Sequence, residues 1–130
     1  MARAGLDTAS VVDAAARLAD ADGLESLTLA QLAAQLGVRG PSLYSHVASL
    51  ADVRLRLGER GARELAAAMG RAAAGRAGRD ALLAVADAYR SYAHAHPGTY
   101  AAMQRSRLGR HLSVGKIRCT ISSPTRKPAR

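Results

Sequence analysis

Between residues 28 and 47 the chain reads TLAQLAAQLGVRGPSLYSHV, and its apolar positions Leu29, Leu32, Ala33 and Leu36 recur at i, i+3, i+4 and i+7. That spacing predicts a helix with one apolar stripe, leaving Gln31 and Gln35 outward. Thr28 stands three residues before Gln31, the spacing of a capping box, so the helix should begin there. Gly37 ends it. Gly40 and Pro41 follow, and proline is preorganised for a first helical turn. A second short helix is predicted over residues 41–47, with Leu43 and Val47 on its buried face. Pro41, Ser42, Tyr44 and Ser45 form a small, polar opposite face.

Two amphipathic stretches flank this pair. Asp7 is placed to cap a first helix whose apolar side is Val11, Ala15, Leu18 and Ala19, and Gly23 is placed to close it in the left-handed conformation. Ser49 and Asp52 have the spacing of a capping-box-like start for a long fourth helix, with Leu50, Val53, Leu57, Leu65 and Met69 inward. AAAGRAG at residues 72–78 reads as a fraying end and linker. A fifth helix is predicted over residues 80–96, with Leu82, Val85, Tyr89 and Tyr92 on one stripe and Pro97 as its stop. The predicted fold is all-α.

Two helices joined by a glycine turn are the grammar of a helix-turn-helix, which presents its second helix to the major groove. The bare pattern equally suits a helical hairpin with solvated serines. The flanking helices add what the pair lacks. The run from Gly5 onward, with AAARL at residues 14–18, GLESLTL at 23–29, LAAQLGV at 32–38 and PSLYSHV at 41–47, resembles the amino-terminal domain of the TetR family of bacterial transcriptional regulators. GRDALLAVADAYRSYAHAHPGTYAAMQR, residues 78–105, resembles more loosely the start of a TetR-type regulatory domain.

The resemblance implies a helix-turn-helix DNA-binding domain over residues 1–48 and a connecting helix with part of a helical regulatory domain over 49–107. It also implies a repressor of transcription that binds operator DNA and is released by a small-molecule inducer. Carried over residue by residue, Thr28, Arg39, Gly40, Pro41, Ser42, Tyr44, Ser45 and His46 fall in the DNA-contacting region, with Thr28 and Tyr44 expected on phosphates. Arg39 has the chemistry for either a guanine edge or a phosphate. Many members place a phosphate-binding lysine where this chain has Leu50. The family forms homodimers through further long helices, which have no counterpart here, so a truncated or frame-disrupted remnant that binds DNA weakly is the competing reading.

Charge changes this picture less than its size suggests. The chain of 130 residues carries a formal +9. Residues 1–50 hold three arginines against five acids, residues 51–100 eight against five, and residues 101–130 eight basic residues and no acid. The excess belongs mostly to residues 108–130, which are aperiodic and read as a disordered basic tail able to attract phosphates without sequence preference. The domain predicted to read DNA is itself slightly acidic.

Other chemistry is sparse. Tyr89, Tyr92, Tyr100 and Met103 have the character of a small-molecule pocket wall, and equally of ordinary core. His94 and His96 point about 200 degrees apart on a helix, so they are not expected to share a metal; helix-terminal positions suit them better. His46 is expected to be structural or phosphate-facing. There is no Walker loop, no GxGxxG and no triad spacing, and the three glutamates, Glu25, Glu59 and Glu64, look exposed, so neither an enzyme nor a cofactor is expected. The single Cys119 fits a reducing cytoplasm, and Arg, Asp or Gly interrupts every apolar run short of a membrane span.

Overall fold

The computed structural model of the chain describes residues 5–106, and every regular element among them is a helix. The predicted tail over 108–130, with Cys119, lies outside the described residues. The first helix, α1 (Thr8–Asp22), starts where its cap is made: Asp7 Oδ1 accepts from Ser10 N–H at 2.7 Å, and Asp7 N–H donates to Ser10 Oγ at 3.3 Å. Val11, Val12, Ala14, Ala15 and Ala19 are buried, a wider stripe than the four residues the spacing suggests, because neighbours lie against two sides of this helix. Gly23 closes α1 at φ 91°, ψ 150°. That backbone favours glycine, but it leads into an extended step instead of the left-handed helical turn the sequence suggested. A short 3-10 turn at Leu24–Ser26 follows, with Leu24 and Leu27 buried.

Helix α2 (Leu29–Leu36) has the predicted capping box: Gln31 N–H donates to Thr28 Oγ1 at 3.2 Å and Thr28 N–H to Gln31 Oε1 at 3.0 Å. Gly37 ends it in the left-handed region at φ 67°, ψ 30°. The next helix, α3 (Gly40–Leu43), departs from the prediction: it is one turn long and does not reach Val47. Its end is tightened, because the Leu43 carbonyl accepts from both His46 N–H (2.9 Å) and Val47 N–H (3.0 Å). The His46 carbonyl then accepts from the Thr8 hydroxyl of α1 at 3.1 Å. The chain must also extend within three residues so that Ser49, at φ −166°, can cap the next helix.

That helix, α4 (Leu50–Ala73), is 24 residues long, about 36 Å at the usual rise. Ser49 Oγ accepts from Asp52 N–H at 3.1 Å, while the Asp52 carboxylate reaches back to Ala48 N–H at 3.0 Å, one residue earlier than a standard box. Helix α5 (Gly78–Ala95) begins two residues before the predicted start, and Pro97 both stops it and opens α6 (Pro97–Arg105).

Two apolar clusters hold the fold. The larger joins α1, α2, α3 and the first half of α4 around Val11, Leu27, Leu32, Leu43, Val53 and Leu57. The smaller places Leu65 of α4 against Tyr92 and Met103. Helix α6 lies closely on α4 and α1, and three glycines make this possible. A Cβ at Gly58 would sit 2.8 Å from the Ala102 carbonyl oxygen, one at Gly61 would sit 2.9 Å from Thr99 Cγ2, and one at Gly98 would overlap the Ala19 backbone.

Candidate nucleic-acid interface

The surface formed by α2, α3 and the turn after it is built from a buried anchor and an exposed polar rim. Leu43 is 0% and Val47 2% exposed, so the one-turn α3 is fixed from beneath although it is too short to be stable alone. Around them Thr28, Arg39, Pro41, Ser42, Tyr44 and Ser45 are exposed, Gly40 is half-buried at the first position of α3, and His46 is half-buried beside α1. Tyr44 is 60% exposed, and its hydroxyl has no hydrogen-bond partner among the described residues. Thr28 Oγ1 is already engaged in the cap of α2, accepting from Gln31 N–H and donating to Gln31 Oε1, which leaves it part of its acceptor capacity.

Between Glu25 and Asp52 the sequence holds a single formally charged residue, Arg39. It is exposed and has no ion-pair partner among the described residues. The surface is therefore nearly neutral and rich in hydroxyls, with one guanidinium at the start of α3. Leu50 packs against the larger core cluster from the first turn of α4, so it offers that surface no cation.

Carboxylates near this unit do structural work. Hydrogen bonds from the Ser10 side chain and backbone hold the Asp7 carboxyl below its ordinary range. Asp52 is lowered chiefly by Ala48 N–H, then by Arg56, whose Nε lies 3.0 Å from its Oδ1.

The four residues considered for a small-molecule pocket separate into two pairs. Tyr92 and Met103 are buried in the smaller cluster. Tyr89 and Tyr100 meet edge-on at the surface, with ring centroids 5.9 Å apart and hydroxyls 2.7 Å apart. Of the four, Tyr92 borders a cleft of about 470 Å³ between α1 and α4–α6, whose walls include Asp13, Asp20, Arg60, Glu64 and His96.

This polar seam was not legible in the sequence. Glu64 is half-buried, not exposed as expected: it accepts from Arg60 Nε and from the Tyr92 hydroxyl at 2.9 Å, while Arg60 also pairs with Asp13 of α1. Burial alone would raise the Glu64 pKa, but the Arg60 and Tyr92 hydrogen bonds outweigh it and the net direction is down. The Tyr92 phenol moves up, from burial first and the Glu64 carboxylate second. His96 lies at the end of α5 as expected, but its ring turns to Asp20 of α1, with Nδ1 to Oδ2 at 3.1 Å. Among the described residues no group of three or more His, Cys, Asp or Glu is placed to hold a metal ion. None of their helices is long and apolar enough to cross a membrane.

The sequence that forms α1, α2, α3 and the start of α4 has a counterpart in known proteins. The family model described as "Bacterial regulatory proteins, tetR family" matches residues 11–52, from α1 to the first turn of α4. Through this domain the chain belongs to the tetR family. A protein of Mycobacterium tuberculosis named as the uncharacterized HTH-type transcriptional regulator Rv0681 is 48% identical over 106 residues, covering 82% of this chain and 49% of that protein. The uncharacterized HTH-type transcriptional regulator YobS of Bacillus subtilis is 40% identical over 100 residues, covering 77% of this chain and 52% of its own length. The chain thus spans about half the length of the curated relatives it matches, and the likeness runs beyond the tetR-type domain into the helices after it.

Proposed function

We propose that this tetR-family chain is a sequence-specific DNA-binding transcriptional regulator that presents α3 and the following turn to the major groove of an operator. The observation that carries the reading is the exposed rim of Arg39, Pro41, Ser42, Tyr44 and Ser45 held on the buried Leu43 and Val47. Arg39 and Ser45 supply base-edge chemistry, while Thr28 and Tyr44 act on phosphates and fix the register. His46 steadies the turn through its carbonyl. With one cation on this face, recognition rests on hydrogen bonds and fit more than on neutralising phosphates, so its own salt dependence is shallow.

Repression, release by a small-molecule inducer, homodimerisation and action in the cytoplasm extend the proposal along family lines. Within it, Tyr92 is the pocket candidate that borders a cleft, whereas Tyr89 and Tyr100 meet each other at the surface and Met103 is enclosed in the smaller core. The test is selection of bound duplexes from a random pool, followed by binding isotherms of the chain and of Arg39→Ala on the enriched and a scrambled sequence. The reading expects a preferred sequence and a loss of preference in the variant. Equal binding to both duplexes by the unaltered chain would sink it.

A further inference from the structure

Helix α6 begins without a cap of its own. Its N-cap residue, His96, makes no side-chain hydrogen bond to the first turn, and Pro97 and Gly98 supply no side-chain acceptor. The acceptor comes from another helix: Asp20 of α1 receives Thr99 N–H on Oδ1 at 2.7 Å and the Thr99 hydroxyl on Oδ2 at 3.2 Å, with His96 Nδ1 3.1 Å from Oδ2. Thr99 is the third residue of α6 and 1% exposed, so its amide is one that a helix start leaves orphaned and burial makes costly to leave unpaired. A carboxylate is also the group that the positive end of a helix favours.

We propose that Asp20 is a positioning residue that fixes the tetR-type unit to the regulatory helices by capping α6 from α1. The joint admits little play, because Gly98 meets the backbone of Ala19, the residue before Asp20, and Gly61 meets Thr99. Helix α1 also receives the Thr8 link to the His46 carbonyl. The orientation of α1 therefore passes at one end to the start of α6 and at the other to the turn that presents Tyr44 and Ser45. Displacing α6 by any cause must break the Asp20 cap or carry α1 with it.

The inference rests on the DNA-binding reading for its consequence but not for its geometry, and the experiment separates them. In the full chain carrying Cys119→Ser, spin labels at Ala34→Cys on α2 and Gln104→Cys on α6, both exposed positions, report the distance between the two parts. Asp20→Ala is expected to broaden that distribution well below its melting temperature. It should also weaken DNA binding roughly fivefold, the worth of about one hydrogen bond. Asp20→Asn keeps an acceptor for Thr99 N–H, and its amide can donate to Thr99 Oγ1 and His96 Nδ1 in place of the two Oδ2 contacts, so it should stay narrow. His96→Gln and Thr99→Val remove the Oδ2 contacts separately, and their combination should broaden the distribution even if Asp20→Ala does not fold. A lower melting temperature with an unchanged distance width in Asp20→Ala and in that combination would reduce Asp20 to a structural residue and overturn the proposal. So would an Asp20→Asn variant as broad as Asp20→Ala. Loss of DNA binding by every form, with the distance result as expected, would instead remove the DNA-binding reading and leave the joint standing.

Discussion

The tetR-type unit and the helices after it are both amphipathic and alanine-rich, yet they are stabilised in opposite ways. Each of α1, α2 and α4 begins at a residue whose own side chain caps it, Asp7, Thr28 and Ser49. Neither α5 nor α6 does: Ala77 offers no acceptor, and α6 borrows Asp20. The leucines and valines of the first region are buried or packed against its core, whereas α5 leaves Leu82 69% and Leu83 56% exposed. A region with local caps and its own core specifies itself, while one that depends on a neighbour for caps and burial reports the state of that neighbour. This asymmetry suits a reading unit that stays intact while its support changes.

The largest effect should come from the anchor of the first region. Leu43→Ala removes a fully buried side chain from the larger cluster, at a cost of about 2 to 5 kcal/mol. In a domain this small that is most of the stability, so the variant should lose its cooperative thermal transition. An unchanged melting temperature would mean that α3 is not held as described and that the contrast between the regions is misplaced.

The same anchor shows where sequence reading succeeds and stops. Local devices were legible because they span a few residues: the Thr28–Gln31 box, the Gly37 stop, and the Leu32, Leu43 and Val47 face. The shortness of α3 was not, since it depends on Thr8, 38 residues away, taking the His46 carbonyl. The seam between the regions was hidden for the same reason. Asp20 and Thr99 are 79 positions apart, and although Arg60 stands four residues before Glu64, nothing near them in sequence announces Tyr92 on Glu64 or Asp13 on Arg60. The stripe of α5 misled differently: helical spacing identified a face, but spacing alone does not say whether anything covers it, and only Tyr92 of its four residues is buried.

An acid titration sharpens the comparison at that seam. Glu64 and Asp52 both have folded-state pKa values below their ordinary ones. Their contribution is therefore complete above the unfolded values of about 4 and is lost as pH falls through the lower folded values. Melting temperatures should be flat from about pH 7 to about pH 5 and then fall below about pH 4. Glu64→Gln should reduce that fall by removing the charged partner of Arg60. A variant as acid-sensitive as the parent would assign the loss to the caps of the first region instead.

Tyr44→Phe tests the rim without disturbing the anchor, since the hydroxyl has no partner among the described residues and the ring is already 60% exposed. Stability should not change. Under the DNA-binding proposal, affinity should fall by about 1 kcal/mol on preferred and scrambled duplexes alike, because a phosphate contact carries no sequence information. Isotherms in which the preference shifts without a general loss would move Tyr44 from positioning to base reading.

The smallest effect is expected where the second region exposes its apolar face. Leu82→Ser and Leu83→Ser on α5 remove side chains that are 69% and 56% exposed; surface changes of this kind stay within about 0.5 kcal/mol. The chain should melt as before. It should also become more soluble, because two adjacent exposed leucines favour self-association. Melts at two protein concentrations check both statements. A loss of several degrees in the double variant, growing with concentration, would show that this face is buried between copies in solution, and α5 would then be stabilised by association as the first region is by its own core.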